Sequence, residues 1–255
     1  MKKLFSIALV LGIMSVALFI QGCSSGQNDK QSTESEAGVS EGTEETLQEV
    51  NAISLWEGIS VRQAPSKEGK WLSSITLGES VTHTGQSAVD STDKNRGYVY
   101  VVLSDGTEGW SVDYGLAIDA KLAATKEEAV IYKRPDLLTV TEDKIPVMSM
   151  VAVEEESGDF VKVLGKERKK KGWIEKSKLV LDDKEVAVAV LAEKQLKKNG
   201  SNYSQEALSG FLETVPYKST NFYNTLMDEL NSMEMELEED DFSEEEMSED
   251  TVSME

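Results

Sequence analysis

The chain has one cysteine and one histidine in 255 residues. A structural zinc site needs about four Cys or His ligands, which one copy cannot supply. The same count excludes a Cys–His–His hydrolase site and an intramolecular disulfide. Bases are also scarce: 26 Lys and Arg face 47 Asp and Glu, a formal net charge of −21. Neutralising phosphates needs a basic surface, so a general nucleic-acid binder is excluded. The apolar run Leu4 to Ile20 has 17 residues, short of the roughly 20 that a spanning helix needs. No metal and no cofactor is expected.

What that apolar run carries is informative. Lys2 and Lys3 precede it, and Ile20-Gln21-Gly22-Cys23 ends it with the single Cys. A basic start, an apolar run and a small residue before a cleavage point make a secretory signal. The segment resembles a bacterial lipoprotein signal, with residues 1–22 as leader and Gly22-Cys23 as the end of the lipobox. The resemblance implies lipidation of Cys23 with palmitate-type acyl chains, and a membrane-anchored protein of the bacterial cell envelope. Ser24 after the Cys implies, again by resemblance, the outer membrane if the cell is a diderm. Each buried CH₂ contributes about 0.8 kcal/mol, so two or three chains anchor stably where one does not.

The charge sits at the ends. Residues 23–50 hold seven acids, one Lys and no aromatic residue. They read as a disordered tether with an average reach of roughly 30 Å. Residues 234–255 hold twelve acids and no base, and read as a disordered acidic tail. With +2 in the leader, −6 in the tether and −12 in the tail, Asn51 to Met233 keeps only −5.

The body contains a repeat. Ile59-Ser60-Val61-Arg62 and Pro65-Ser66 open the first unit, and Leu77-Gly78 and Val81 follow. Tyr98 to Leu103 is a β-branched and aromatic strand, Ser104-Asp105-Gly106 a turn, and Gly109-Trp110 a close. The second unit repeats the order with Val130-Ile131-Tyr132, Pro135, Val147-Met148, Val151, Phe160 to Val163 and Gly172-Trp173. This pattern resembles bacterial SH3-like (SH3b) domains. The first unit matches closely; the second departs at Tyr132, where the family has Arg, and lacks the Gly before its middle strand. The resemblance implies two small barrels, at 51–118 and 119–180. SH3-like modules on envelope proteins bind cell-wall peptides or other envelope proteins, so peptidoglycan or an envelope protein is the expected partner.

The remainder, 181–233, reads as three helices. Asp182-Asp183, the terminal lysines and Gly200 bound the first, Ser204 caps the second, and the third starts near Thr220. The Val-Ala alternation at 186–192 also admits a strand. The Met-containing stripe of the third helix is either core or a partner groove. The fold class is therefore mainly β with an α-helical C-terminal unit: two small SH3-like barrels plus about three helices, flanked by disordered acidic segments.

Candidate ligand-binding residues are Tyr98, Tyr100 and Tyr114, with Lys169, Lys170 and Lys171 from the basic run 166–171. Alternation places Tyr98 and Tyr100 opposite Val99 and Val101. Either the valines face the core and the tyrosines a surface, or the reverse. The basic run sits where a barrel has a hairpin turn, as a solvated tip or an anion site. Trp110 and Trp173 read as barrel-closing core residues, and His83 as a surface or edge residue. Once the barrels are assigned, no room remains for a catalytic domain, and the chain reads as a non-enzymatic binding module or an assembly scaffold.

Overall fold

The computed structural model describes residues 48–196 and 203–249, with side chains up to Met235. All of them belong to one compact unit, 45–255. The leader, Cys23 and the tether up to residue 47 lie outside the described residues, as do 250–255.

Two seven-stranded antiparallel sheets follow one another. The first contains β1 (Val50–Ser54), β2 (Ile59–Arg62), β3 (Trp71–Ile75), β4 (Ser80–Asp90), β5 (Arg96–Val102), β6 (Glu108–Val112) and β7 (Leu116–Ile118). The second contains β8 (Lys121–Thr125), β9 (Ala129–Tyr132), β10 (Val140–Ile145), β11 (Met150–Ser157), β12 (Phe160–Gly165), β13 (Lys171–Glu175) and β14 (Leu179–Val180). The spatial orders are β3-β2-β6-β5-β4-β1-β7 and β10-β9-β13-β12-β11-β8-β14. They are the same topology shifted by seven strands, so the sequence repeat is a repeat of fold. Each sheet curls into a half-barrel around its own core. Val61, Ile75, Val81 and Val101 fill the first; Ile131, Ile145, Val151 and Val163 take the corresponding places in the second.

The missing glycine of the second unit has a local solution. Gly78 turns into β4 with φ +73°, and a Cβ there would meet Val190 at 2.9 Å. Met148, in the matching turn before β11, adopts φ +55° and is buried. A non-glycine residue in that region costs roughly 1–2 kcal/mol, and here the buried side chain offsets part of it.

A third apolar cluster joins the half-barrels. Ile53 and Leu55 of the first pack with Met150, Ala152 and Leu164 of the second. Strand β11 therefore buries Met150 to Val153 without interruption, one face on its own core and the other on its neighbour. That accounts for a continuous apolar run where a half-exposed strand alternates.

Three helices cover the second half-barrel: α1 (Asp183–Gln195), α2 (Gln205–Thr214) and α3 (Asn221–Glu249). The segment 186–192 is helix, not strand. It is apolar on all sides because Val186 and Ala189 join the helical core while Val190 packs on the cluster between the half-barrels. Asp182 and Ser204 cap α1 and α2. Phe222, Leu226 and Leu230 of α3 face the same core. The backbone of 234–249 continues α3. Glu, Met and Leu are good helix formers, and extending a helix nucleated by packing is far easier than starting one. Among the described residues no helix is long and apolar enough to cross a membrane.

Candidate functional site

A row of large side chains crosses the outer face of the first half-barrel. Arg62 pairs with Trp71 on one side and Trp110 on the other, and Trp110 pairs with Tyr100. The row Trp71–Arg62–Trp110–Tyr100 thus spans β3, β2, β6 and β5 at one level. Direct partners across antiparallel strands lie roughly 4.5–5.5 Å apart, so these side chains are neighbours. Tyr100 and Trp110 meet edge to face, with centroids 5.3 Å apart. Arg62 donates from Nη1 to the Gly69 carbonyl at 2.8 Å and from Nε to the Ser60 hydroxyl at 3.1 Å. The Trp71 indole N–H donates to the Ser74 hydroxyl at 3.3 Å. Trp71 is 58% exposed, while Arg62, Trp110 and Tyr100 are half-buried. An immobilised cation between two indoles suits flat or extended ligands that stack and carry anionic groups.

The structure decides the alternation in β5 and corrects part of the sequence reading. Val99 and Val101 face the core, so both tyrosines lie on the other side. Tyr98 is nonetheless only 2% exposed and lines no open surface. Its burial raises the phenol pKa, with nearby Arg96 opposing that shift and Asp90 and Asp93 adding to it. Tyr114 is exposed but stands apart from the row. It packs edge to face on Trp56 at 5.7 Å, with Arg96 6.0 Å from its centroid. Trp110 and Trp173 turn outward and do not close a barrel; their neighbours Ser111 and Ile174 face inward. The glycines before them still allow strand contact, since a Cβ on Gly109 would meet the Arg62 carbonyl at 2.7 Å. His83 is buried, with Nδ1 3.2 Å from the Tyr100 carbonyl oxygen, not a surface residue.

The second half-barrel has the equivalent row Val140–Tyr132–Trp173–Lys162. Two aromatic positions are replaced there, by Val140 and Lys162, and Tyr132 stands in for the arginine. Tyr132 packs on Phe160 at 5.3 Å, and burial raises its pKa, helped by the Glu175 carboxylate.

The basic run divides into two parts. Lys166, Glu167 and Arg168 form a 3-10 turn that docks onto the rest of the body. Glu167 donates its amide to the Leu55 carbonyl at 2.9 Å. Arg168 donates from Nε to the Tyr114 carbonyl at 2.8 Å and from Nη2 to the Leu116 carbonyl at 2.6 Å. Lys166 lies 3.8 Å from Glu193 of α1. This half is a connector, not a solvated tip. Lys169 and Lys171 are exposed and Lys170 half-buried. Lys169 pairs with Glu167 at 2.6 Å and Lys170 with Asp143 at 2.7 Å; Lys169 holds the Glu167 carboxyl below its ordinary range. The three lysines belong to the second half-barrel, and the candidate tyrosines to the first. Sequence reasoning did not select Trp71; the signal was its place one residue before Leu72, whose side chain turns inward toward Gly109.

No protein-family model and no curated protein matches the chain. Among solved structures, NlpC2 from Trichomonas vaginalis aligns with 66% of this chain and 56% of its own length, at 14% identity and a TM-score of 0.24. NlpC1 from the same organism aligns with 60% and 56%, at 14% identity and a TM-score of 0.23. CBDP35 aligns with 53% of this chain and 97% of its own, at 13% identity and a TM-score of 0.18. The chain spans just over half the length of the two Trichomonas proteins. Similarity at this level carries no functional argument.

Proposed function

We propose that the chain is a lipid-anchored bacterial cell-envelope protein that binds rather than catalyses. In this reading, the outer row of the first half-barrel takes an extended cell-wall glycan or peptide. The observation that carries it is the lateral register of Trp71, Arg62, Trp110 and Tyr100 with Trp71 open to solvent. Indole faces stack on sugar rings and apolar side chains, and Arg62 attracts carboxylates of a cell-wall peptide. The anchor rests on the sequence Gly22-Cys23, and replacing Cys23 by Ser is expected to abolish incorporation of labelled fatty acid.

Retention on purified peptidoglycan tests the binding. Trp71→Ala is expected to weaken retention by about tenfold, the loss of one well-placed aromatic contact. Trp173→Ala should leave it unchanged. Equal retention of wild type and Trp71→Ala sinks the reading.

A second reading, an assembly scaffold, is favoured by a groove of about 470 Å³ beside α1, lined by Leu77, Leu122, Val190, Leu191 and Tyr217. It predicts recovery of a stoichiometric envelope protein by crosslinking at Leu191, with no retention on peptidoglycan.

A further inference from the structure

The turn between β9 and β10 places leucines where solvent should be met by polar groups. Leu138 is 91% exposed and Leu137 62% exposed, and Val140 beside them is also exposed. The turn is not loose. The Asp136 carboxylate accepts the Leu138 amide at 2.9 Å, and the Thr139 hydroxyl donates to the Arg134 and Asp136 carbonyls at 3.1 and 2.9 Å. The first half-barrel supplies an internal comparison. Its corresponding turn closes the same way, Gly69 N to Ser66 O at 3.0 Å against Thr139 N to Asp136 O at 3.0 Å. Its tip residues are Lys67 and Glu68. One fold therefore builds this turn with either polar or apolar tips, and the leucines are not needed for the turn.

Beside the tip lies a groove of about 340 Å³. Both ends of the turn line it, Lys133 before and Thr141 after, together with Lys162, Lys171, Tyr132 and Trp173. Lys133, Arg134 and Lys171 make no ion pair among the described residues. Asp143 also lines the groove but is engaged by Lys170, Asp136 is engaged by the Leu138 amide, Glu154 and Glu155 face Lys162 at 4.0 and 3.6 Å, and Glu175 accepts from the Tyr132 hydroxyl at 3.3 Å, so the cations left to an outside anion are Lys133, Arg134 and Lys171. A small convex apolar tip beside cations and an indole matches the layering of a bilayer surface: acyl chains below, phosphates at the level of the cations, Trp at the boundary.

We propose that the Leu137–Leu138 tip inserts into a phospholipid surface while Lys133 and Lys171 hold anionic headgroup phosphates in the groove. The inference does not depend on the first half-barrel's row; its orientation argument rests on the lipid-anchored reading proposed above. The sequence between Cys23 and β1 is 26 residues long, enough to let the body lie on the membrane that would hold an anchor at Cys23. The contact would fix which face of the body looks toward the membrane.

The chain from Ser24 onward keeps every described strand and helix and lacks the anchor. It is expected to sediment with vesicles of phosphatidylglycerol and phosphatidylcholine, and to remain free with phosphatidylcholine alone. Leu137→Ser with Leu138→Ser should lower the partition coefficient roughly tenfold or more. Lys133→Glu with Lys171→Glu should lower it comparably at low salt. Thermal melts unchanged from wild type would show that both variants fold. Binding that survives the leucine changes would overturn the proposal by reducing it to surface charge. So would failure of the wild type to sediment, or release of the protein by soluble glycerol phosphate alone, which would assign the groove to a free phosphate.

Discussion

Replacing Glu185 by Ala is expected to destabilise the protein by about 2–3 kcal/mol and to fray the start of α3. The N–H groups of the first three residues of that helix, which no turn of the helix itself can satisfy, all have partners. The buried Glu185 carboxylate of α1 accepts the Asn221 amide at 2.6 Å, the Asn221 Nδ2 at 2.9 Å and the Phe222 amide at 3.0 Å. The Thr220 hydroxyl takes the Tyr223 amide at 3.2 Å, and the Thr220 carbonyl takes the Asn224 amide at 3.2 Å as the first bond of the helix itself. An anion at a helix N-terminus also opposes the helix dipole favourably. Removing it strands donors in a buried place. Glu185→Gln keeps an oxygen acceptor and should cost only about 1 kcal/mol. Urea melts give the free energies, and hydrogen exchange at 221–223 localises the effect. A Glu185→Ala melt equal to wild type would contradict it.

Replacing Arg168 by Ala is expected to cost about 2 kcal/mol. Its guanidinium bridges two carbonyls of the first half-barrel from a turn of the second. Glu167 and Arg168 both adopt φ of 55°, a conformation that two successive side-chain-bearing residues hold only against contacts that enforce it. Without the arginine the turn has a cheaper conformation available. Arg168→Lys cannot present two N–H groups in a fork, so it should rescue only partly. Lys169→Ala, at the next residue, whose side chain pairs only with Glu167 within its own turn, should fall within about 0.5 kcal/mol of wild type. Faster hydrogen exchange at the Glu167 amide, which is bonded to Leu55, distinguishes loosening between the half-barrels from global destabilisation.

The repeat was legible because its punctuation is local: the Gly109-Trp110 and Gly172-Trp173 pairs, the Ser-Asp-Gly turn and the β-branched runs each fix a strand end by their own chemistry. The helix boundaries at Asp182 and Ser204 were legible for the same reason. What escaped was set by partners distant in sequence. Glu185 reads as an ordinary acid in the first turn of α1, and nothing near it reveals a cap on a helix 36 residues away. The run at 166–171 reads as a solvated tip because its docking surface, Leu55 and Tyr114 to Leu116, comes from the other half-barrel. Period-two alternation separated Tyr98 and Tyr100 from Val99 and Val101, yet it could not say which face has a second layer over it. Tyr98 is covered and Tyr100 is not, on one face of one strand. The row of Trp71, Arg62, Trp110 and Tyr100 was invisible as a row, since its members come from four strands and meet only through register.

Titrating solubilised peptidoglycan fragments into the labelled protein, and following the four indole N–H signals by NMR, tests the proposed binding at the row most directly. Trp71 and Trp110 should shift together and saturate at one affinity. Trp56, packed on Tyr114, and Trp173, on the second half-barrel, should stay in place. Stationary Trp71 and Trp110 signals, or shifts confined to Trp56 or Trp173, would contradict the account.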